Sequence, residues 1–145
     1  MSWKRLQDQK LQERLVIRSR IVQLIREFFI SEGFLEVETP TLVPYAGQEP
    51  HLNPLRTKVW DERGQTREAY LITSPEYAHK KLLAAGFKKT FEITRAFRAG
   101  EQWGGLHNPE FAILEWYRAR ADYRAIMEDV EKMVSFVWSG LPPLN

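Results

Sequence analysis

The residues best suited to chemistry in this 145-residue chain lie in one stretch, Phe91–Tyr117. Two segments make up most of this stretch, Thr90–Arg98 and Glu110–Arg118, and their residues alternate in character as in extended strands. A polar loop containing glycine joins them. Alternate residues of a strand share a face, and paired residues of neighbouring strands point to the same side. If Arg98 pairs near Phe111, one face of the predicted hairpin carries Arg98, Thr94, Glu92, Phe111, Glu115 and Tyr117. Such a mixture of charges and rings makes a poor core and a good binding surface.

The residue types on this face indicate a phosphate-bearing nucleotide and a cationic ligand. Arg98 offers a planar fork of donors for a phosphate or a carboxylate, and Phe111 can stack on a flat heterocycle. Glu115 and Tyr117 can hold an ammonium group. Polar groups in the intervening loop could close over a polyphosphate: Glu101, His107 and Asn108. ATP and a basic amino acid fit these parts, although a surface hairpin with solvated charges fits the same alternation.

Three segments, in order along the chain, resemble class II aminoacyl-tRNA synthetases of the lysine branch. Motif 1 of that family resembles GFLEVETPTL at Gly33–Leu42, and its motif 2 resembles FRAGE…HNPEFAILEWY at Phe97–Tyr117. The amino-acid-binding segment between them resembles YLITSPEYAHKKLLAAG at Tyr70–Gly86. The sequences LITSPEY, LEWYR and HLNPLRT are more similar to the paralogues that attach lysine or β-lysine to elongation factor P than to lysyl-tRNA synthetase itself. The resemblance covers roughly Leu15–Val134.

The resemblance implies an α+β fold, an antiparallel sheet with flanking helices, in which residues 1–145 form one partial catalytic domain with motifs 1 and 2. Motif 3 does not follow, so the chain is expected to be the N-terminal half of such a domain and to be inactive in isolation. The family's Mg²⁺-binding acidic residues are expected in the other half. No metal ligand is therefore expected in this chain.

The resemblance also implies a role for each candidate residue. Arg98 is the expected catalytic residue, bridging the α-phosphate of ATP and the attacking carboxylate, and Glu76 is expected to take the α-ammonium of the amino acid. The expected substrate-binding residues are Ser74, Glu76, Glu115 and Tyr117. The expected ATP-binding residues are Arg98, Glu101, His107, Asn108 and Phe111. The expected dimer-interface residues are Phe34, Val37 and Pro40.

The remaining chain predicts the elements that would position these residues. A helix over Glu13–Ser31 carries two apolar stripes about 115° apart, which indicates either a broad core face or burial against a second subunit. A strand over Phe34–Thr39 stops at Pro40, and Ser74-Pro75-Glu76 is typical of a helix start. Three further elements are predicted: a hairpin of Lys58–Trp60 with Ala69–Thr73, a helix over Tyr77–Ala84, and a helix from the N-cap Asp122 to about Trp138.

Two smaller interpretations concern single residue types. The methionines of the last predicted helix keep its apolar spacing and are interpreted as core. The histidines are too scattered for a metal-site spacing. His51 and His79 are interpreted as structural or solvent-facing, whereas His107 immediately precedes the NPEF sequence of the motif 2 segment.

Composition narrows the class of protein. A hydrophobic content of 43% and a charged content of 28% are ordinary for a globular domain, and a formal net charge of +2 is too small to indicate nucleic acid binding. The absence of cysteine excludes disulfides and thiolate metal sites. No apolar run approaches the roughly 20 residues that span a bilayer, and the N-terminus lacks a signal-peptide core. We therefore expect a cytoplasmic protein with no membrane association.

Three functions remain open at this point. The first is ATP- and Mg²⁺-dependent activation of lysine or β-lysine as an aminoacyl-adenylate and its transfer to a lysine of elongation factor P, by a homodimer formed through motif 1. The second is the charging of tRNA by a fragment of lysyl-tRNA synthetase, although that enzyme carries an anticodon-binding barrel before motif 1 and few residues precede the first helix here. The third is a non-catalytic module for dimerisation or for interaction with a partner subunit.

Overall fold

The computed structural model describes residues 3–100, 104 and 106–142, and the chain divides into two compact units. Met1–Glu36 and Arg120–Asn145 form the first unit, and Val37–Ala119 forms the second. Helices dominate the first unit, and two antiparallel strand pairings dominate the second. The predicted α+β class with antiparallel sheet and flanking helices is confirmed.

The first unit is built on a long helix, α1, over Gln9–Ser31, preceded by a short 3₁₀ helix at Trp3–Gln7. The helix begins earlier than predicted because Asp8 caps it: its carboxylate accepts a hydrogen bond of 3.0 Å from the backbone N–H of Lys10. Gly33 has a φ of +78° just beyond the end of the helix, a conformation that favours glycine. Only Leu35–Glu36 of the predicted following strand is extended in this unit, as β1.

Aromatic packing forms the core of the first unit. Phe29 is fully buried and meets Phe28 and Phe34 edge to face, with ring centroids 5.2 Å and 5.1 Å apart. The Phe28 ring also packs against Phe136 of the helix α3, with ring centroids 5.9 Å apart. Helix α3 spans Tyr123–Ser139, and the Asp122 carboxylate accepts from two backbone N–H groups at its start, as predicted.

Helix α3 exposes more apolar surface than its sequence led us to expect. Met127 is 56% exposed, so its interpretation as a core residue is wrong, while Met133 is partly covered. A whole stripe shares this exposure: Tyr123, Met127, Val130, Val134 and Trp138. Helical spacing identified the apolar residues correctly but did not give the width of the arc that packs.

The second unit contains a three-stranded antiparallel sheet, ordered β2-β4-β3, formed by β2 (Leu42–Val43), β3 (Leu55–Trp60) and β4 (Thr66–Leu71). The β3–β4 hairpin confirms the prediction, with longer strands. The Asp61 carboxylate accepts hydrogen bonds of 2.9 Å from the backbone N–H groups of Arg63 and Gln65 and so organises the turn.

Helix α2 (Glu76–Ala84) and the hairpin of β5 (Lys89–Phe97) with β6 (Glu110–Arg118) complete the second unit. Two backbone bonds tie the end of β5 to the first sheet: Phe97 N–H donates to the carbonyl of Ile72 at 2.8 Å, and Ala99 N–H donates to that of Asn53 at 2.7 Å. These bonds bring the start of α2 beside the β5–β6 hairpin. Within the described part of the chain, no helix is both long and apolar enough to cross a membrane.

Candidate active site

The candidate residues on the two strands of the β5–β6 hairpin share one face, as their alternation predicts. The register pairs Glu92 with Glu115 and Ala96 with Phe111, and the Arg98 N–H donates to the carbonyl of Pro109 at 2.9 Å. Paired residues point to the same side of an antiparallel sheet. Arg98, Phe111, Glu115 and Tyr117 therefore share the face with Thr94 and Glu92.

The Arg98 guanidinium lies over the Phe111 ring, 4.9 Å from its centroid. Its Nε donates to the Thr73 carbonyl at 3.4 Å. This contact is possible because the backbone bond from Phe97 to Ile72 brings the end of β5 close to the end of β4. A guanidinium packed on a ring and bonded through Nε is partly preorganised. The two terminal Nη groups are the donors that suit a phosphate or carboxylate.

The start of α2 places Ser74 and Glu76. Ser74 Oγ accepts from the backbone N–H of Glu76 at 3.4 Å, and Pro75, which is buried, precedes the helix. The Glu76 carboxylate forms an ion pair with Lys80 one turn later, and the hydrogen bond and charge of Glu76 raise the pKa of Lys80. A ligand ammonium at Glu76 would compete with Lys80 for this carboxylate.

Glu115 and Tyr117 form the candidate cation site. The Tyr117 hydroxyl donates a hydrogen bond to Glu115 Oε1. Burial raises the pKa of Glu115, and the charge of Glu76 adds to this effect. Burial also raises the pKa of Tyr117, as does its bond to Glu115. A partly buried carboxylate with an oriented phenol is a good partner for an ammonium group, which would offset the cost of burying the negative charge.

A buried polar network lies beneath this pair, and sequence reasoning missed it. Glu92 is only 2% exposed; its Oε1 accepts from the Thr39 N–H at 3.0 Å, and its Oε2 accepts from the Thr39 hydroxyl at 2.8 Å. Burial by itself would raise the pKa of Glu92, but the close His79 imidazole and the two bonds from Thr39 outweigh it and hold the pKa below the ordinary value. Glu92 is thus an internal anchor rather than a carboxylate on the binding surface.

His79 is the second missed residue and is fully buried, which agrees with the structural half of its interpretation. Its Nδ1 lies 2.9 Å from Thr90 Oγ1. Its Nε2 lies 3.3 Å from Glu92 Oε2, a close contact whose geometry falls short of a well-formed hydrogen bond. The spacing of Glu76 and His79, three residues apart on one helix, is the sequence feature that could have placed His79 near the site.

The loop residues predicted to bind ATP have different positions. Glu101 lies outside the described residues. His107 and Asn108 are exposed, and Asn108 Oδ1 accepts from the Gly104 N–H at 3.2 Å. Asn108 lines a pocket of about 450 Å³ together with Phe97 and Glu110, whose register places them on the opposite face from Phe111. The structure does not bring Asn108 together with the Arg98–Phe111 pair.

A second pocket, of about 460 Å³, adjoins the start of α2. Its lining includes Thr73, Ser74 and Lys81 but neither Glu115 nor Tyr117. This concavity is therefore next to the candidate site rather than the cation site itself. Among residues 3–100, 104 and 106–142, no group of three or more His, Cys, Asp or Glu side chains could hold a metal ion.

The three residues expected at a dimer interface differ in exposure. Phe34 is only 4% exposed and packs on Phe29 within its own unit, so its side chain has little surface to offer a partner, and that assignment needs correction. Val37 is half-buried and Pro40 is exposed. The alternation of Phe34–Thr39 predicted an extended segment but did not show which side faces the core.

Beyond these local features, nearly all of the chain matches a family model. The model describes class II tRNA synthetases for aspartate, lysine and asparagine (D, K and N), and it matches residues 1–143. The chain belongs to this family. The resemblance inferred from motif 1, motif 2 and the segment between them is confirmed.

Curated relatives in this family are named elongation factor P–(R)-β-lysine ligases. The protein from Haemophilus ducreyi is 43% identical over 121 residues, which cover 83% of this chain and 37% of the relative. That from Mannheimia succiniciproducens is 41% identical over the same shares of both chains. That from Salmonella arizonae is 43% identical over 129 residues, 88% of this chain and 39% of the relative. The chain thus spans less than two fifths of the length of the curated relatives it matches.

Proposed function

We propose that this chain forms the amino-acid- and ATP-binding part of an ATP-dependent ligase that activates lysine or β-lysine for transfer to elongation factor P. The single observation that carries the proposal is that Arg98 and Glu115 project from the same face of the β5–β6 hairpin. One suits an anion and the other an ammonium, the two kinds of charged group that lysine carries. The names of the relatives supply the acceptor and the lysine isomer.

The first step is formation of an aminoacyl-adenylate. A carboxylate oxygen of the amino acid attacks the α-phosphorus of ATP, the bond from that phosphorus to the β-phosphate oxygen breaks, and pyrophosphate leaves. Both reactants are anionic, so the main work of the protein is to position them and offset their repulsion. Arg98 supplies the positive fork, Phe111 a stacking surface for adenine, and Glu115 with Tyr117 holds the far ammonium.

The second step transfers the aminoacyl group. The side-chain amine of a lysine in elongation factor P attacks the adenylate carbonyl, AMP leaves with the bonding electrons, and the amine loses a proton as the amide forms. The family also contains enzymes that aminoacylate tRNA, so a tRNA hydroxyl is the alternative acceptor. Transfer of radiolabelled lysine to purified elongation factor P or to tRNA distinguishes the two.

Three further assignments belong to the same proposal. The family resemblance implies Mg²⁺, but the described residues contain no side-chain group that fits a metal ion, so no step is assigned to it. Val37, which is half-buried, and Pro40, which is exposed, offer surface for a homodimer. A cytoplasmic location follows from the proposed substrates, ATP and a translation factor.

Ligand binding measured by titration calorimetry tests the proposal. Because the matched family covers aspartate, lysine and asparagine enzymes, these three amino acids form a matched ligand series. We expect lysine or β-lysine to bind, aspartate and asparagine to bind at least about tenfold more weakly, and Glu115→Gln to remove the difference. Tighter binding of aspartate than of lysine would exclude the proposed specificity.

A further inference from the structure

Each nitrogen of the His79 ring lies close to a polar side chain in the floor of the candidate site. Nδ1 is 2.9 Å from the Thr90 hydroxyl, and Nε2 is 3.3 Å from Glu92 Oε2. Glu92 is itself fixed by two hydrogen bonds from Thr39. A planar ring that is bonded at Nδ1, in close contact with a carboxylate at Nε2 and without exposed surface has little freedom to rotate or tilt.

The same ring is the surface against which Tyr117 rests. The two rings are stacked, with centroids 5.0 Å apart and planes inclined by 20°. The hydroxyl of that phenol donates to Glu115. The strand register repeats this relationship, because Thr90 lies opposite Tyr117 and Glu92 opposite Glu115. The two side chains next to the His79 nitrogens are thus paired across the hairpin with the two residues of the candidate cation site.

We propose that His79 is a positioning residue that sets the selectivity of the site for a ligand with a terminal ammonium, by fixing the Tyr117 phenol against Glu115. This inference rests on the proposed function and deepens it. The imidazole touches neither the ligand nor the reacting atoms. It acts through Tyr117.

The physical reason is that selectivity between an ammonium and a methyl group depends on a fixed hydrogen-bonding geometry. A binding group must be held within about 0.5 Å of its productive position by the side chains behind it. A phenol that can tilt away loses its bond to Glu115, and the carboxylate then turns to solvent. Affinity for the hydrocarbon part of the ligand depends much less on this geometry, because apolar contacts are non-directional.

Two substitutions at one position isolate the ring. His79→Phe and His79→Leu both remove the nitrogens that meet Thr90 and Glu92, but only phenylalanine keeps a flat plate against Tyr117. Binding of lysine and of norleucine, which lacks the terminal ammonium, is measured by calorimetry for the wild type and both variants. We expect His79→Phe to keep the lysine-to-norleucine ratio within about threefold and His79→Leu to lower it about tenfold. A purely structural role would weaken both ligands equally and leave the ratio unchanged.

A second measurement needs no ligand. The ¹³C signal of Tyr117 Cζ reports its hydrogen bond to Glu115, and we expect it to shift in His79→Leu and to stay near the wild-type position in His79→Phe. If His79→Leu does not fold, His79→Met, which also replaces the flat ring by a flexible aliphatic side chain, is expected to lower the same ratio severalfold.

The outcomes separate the two proposals. An unchanged ratio and Cζ signal in His79→Leu would overturn the positioning role, as would equal losses in the phenylalanine and leucine variants. A wild-type protein that does not prefer lysine over norleucine would overturn the proposed function instead. The Cζ signal would still decide the role of His79.

Discussion

Glu92 and Glu115 lie directly opposite each other across the β5–β6 hairpin, yet the pKa values of their carboxyl groups shift in opposite directions. Burial raises the pKa of both groups, but the close His79 imidazole and the two bonds from Thr39 reverse the effect at Glu92. Glu115 accepts from Tyr117 and feels the charges of Glu76 and Glu92, and its pKa stays raised. The hairpin thus places the Glu92 carboxylate in the buried network, whereas Glu115 is the carboxylate of the proposed cation site.

The first prediction concerns the pH dependence of lysine binding. Only ionised Glu115 attracts an ammonium, so affinity should fall as pH decreases through the pKa of this carboxyl, with a midpoint above its ordinary value of 4.5. Tyr117→Phe removes a hydrogen bond that favours the ionised form, so the midpoint should move to still higher pH. Calorimetric titrations over a pH series measure both midpoints. A midpoint at or below 4.5 in the wild type would contradict this role for Glu115.

The second prediction concerns Arg98. Arg98→Lys keeps the positive charge but replaces the planar fork by a point charge, so affinity for ATP should fall roughly tenfold or more. Arg95 lies on the same strand but the opposite face, is 57% exposed and pairs loosely with Glu110 at 3.6 Å. Arg95→Lys is therefore the matched control and should bind ATP like the wild type. Equal losses of ATP affinity in both variants would show that the planar fork of Arg98 has no specific role in ATP binding.

The third prediction concerns the anchor of Glu92. Thr39→Val deletes the 2.8 Å hydroxyl bond to a buried carboxylate and should lower the free energy of unfolding by about 1.5–3 kcal/mol. Thr57→Val, at an exposed position of β3, should change it by less than about 0.5 kcal/mol. Urea titration at neutral pH measures both variants. A loss no larger than that of the control would mean that the Thr39 bond does not stabilise the fold.

The same variant has a predicted pH signature. The pKa of Glu92 is lowered in the folded protein, so its contribution to stability is fully present above the unfolded value of about 4.5 and is lost as pH falls through the folded value. Without the Thr39 hydroxyl the folded pKa rises, so this contribution is smaller at neutral pH and its loss is complete at a higher pH than in the wild type. Unfolding curves below pH 4.5 should therefore differ least between wild type and Thr39→Val at the most acidic pH.

The two-residue period of the strands was enough to predict the shared face of Arg98 and Glu115. Each side chain on that face is specified by its own strand and the register of one hairpin. The role of Glu92 could not be predicted in this way, because its partner Thr39 is 53 residues distant in sequence. The alternation of residues along a strand shows which side a residue faces. It does not show whether a distant segment already donates hydrogen bonds to that residue.

Helices show the same division between local pattern and tertiary contact. The cap at Asp122 is local and confirmed its prediction, whereas the start of α1 was placed too late because the capping carboxylate of Asp8 stands in a polar segment without apolar periodicity. The helical spacing of α2 does not distinguish His79 from the residues beside it. Its burial depends on Thr90 and Glu92 of the hairpin, which no helical spacing can reveal.

The last prediction concerns the ion pair of Lys80 with Glu76. Lys80 is four residues from Glu76, and its ammonium group forms an ion pair with the Glu76 carboxylate. The family resemblance assigns this carboxylate to the α-ammonium of the amino acid. Lys80→Gln should therefore strengthen lysine binding by about two- to threefold, since exposed pairs of this spacing are weak. Lys132→Gln, which removes a pair of the same spacing with Glu128 in α3, should leave binding unchanged. Calorimetric titration with lysine measures both variants, and weaker binding by Lys80→Gln would show that Lys80 assists the ligand rather than competing with it.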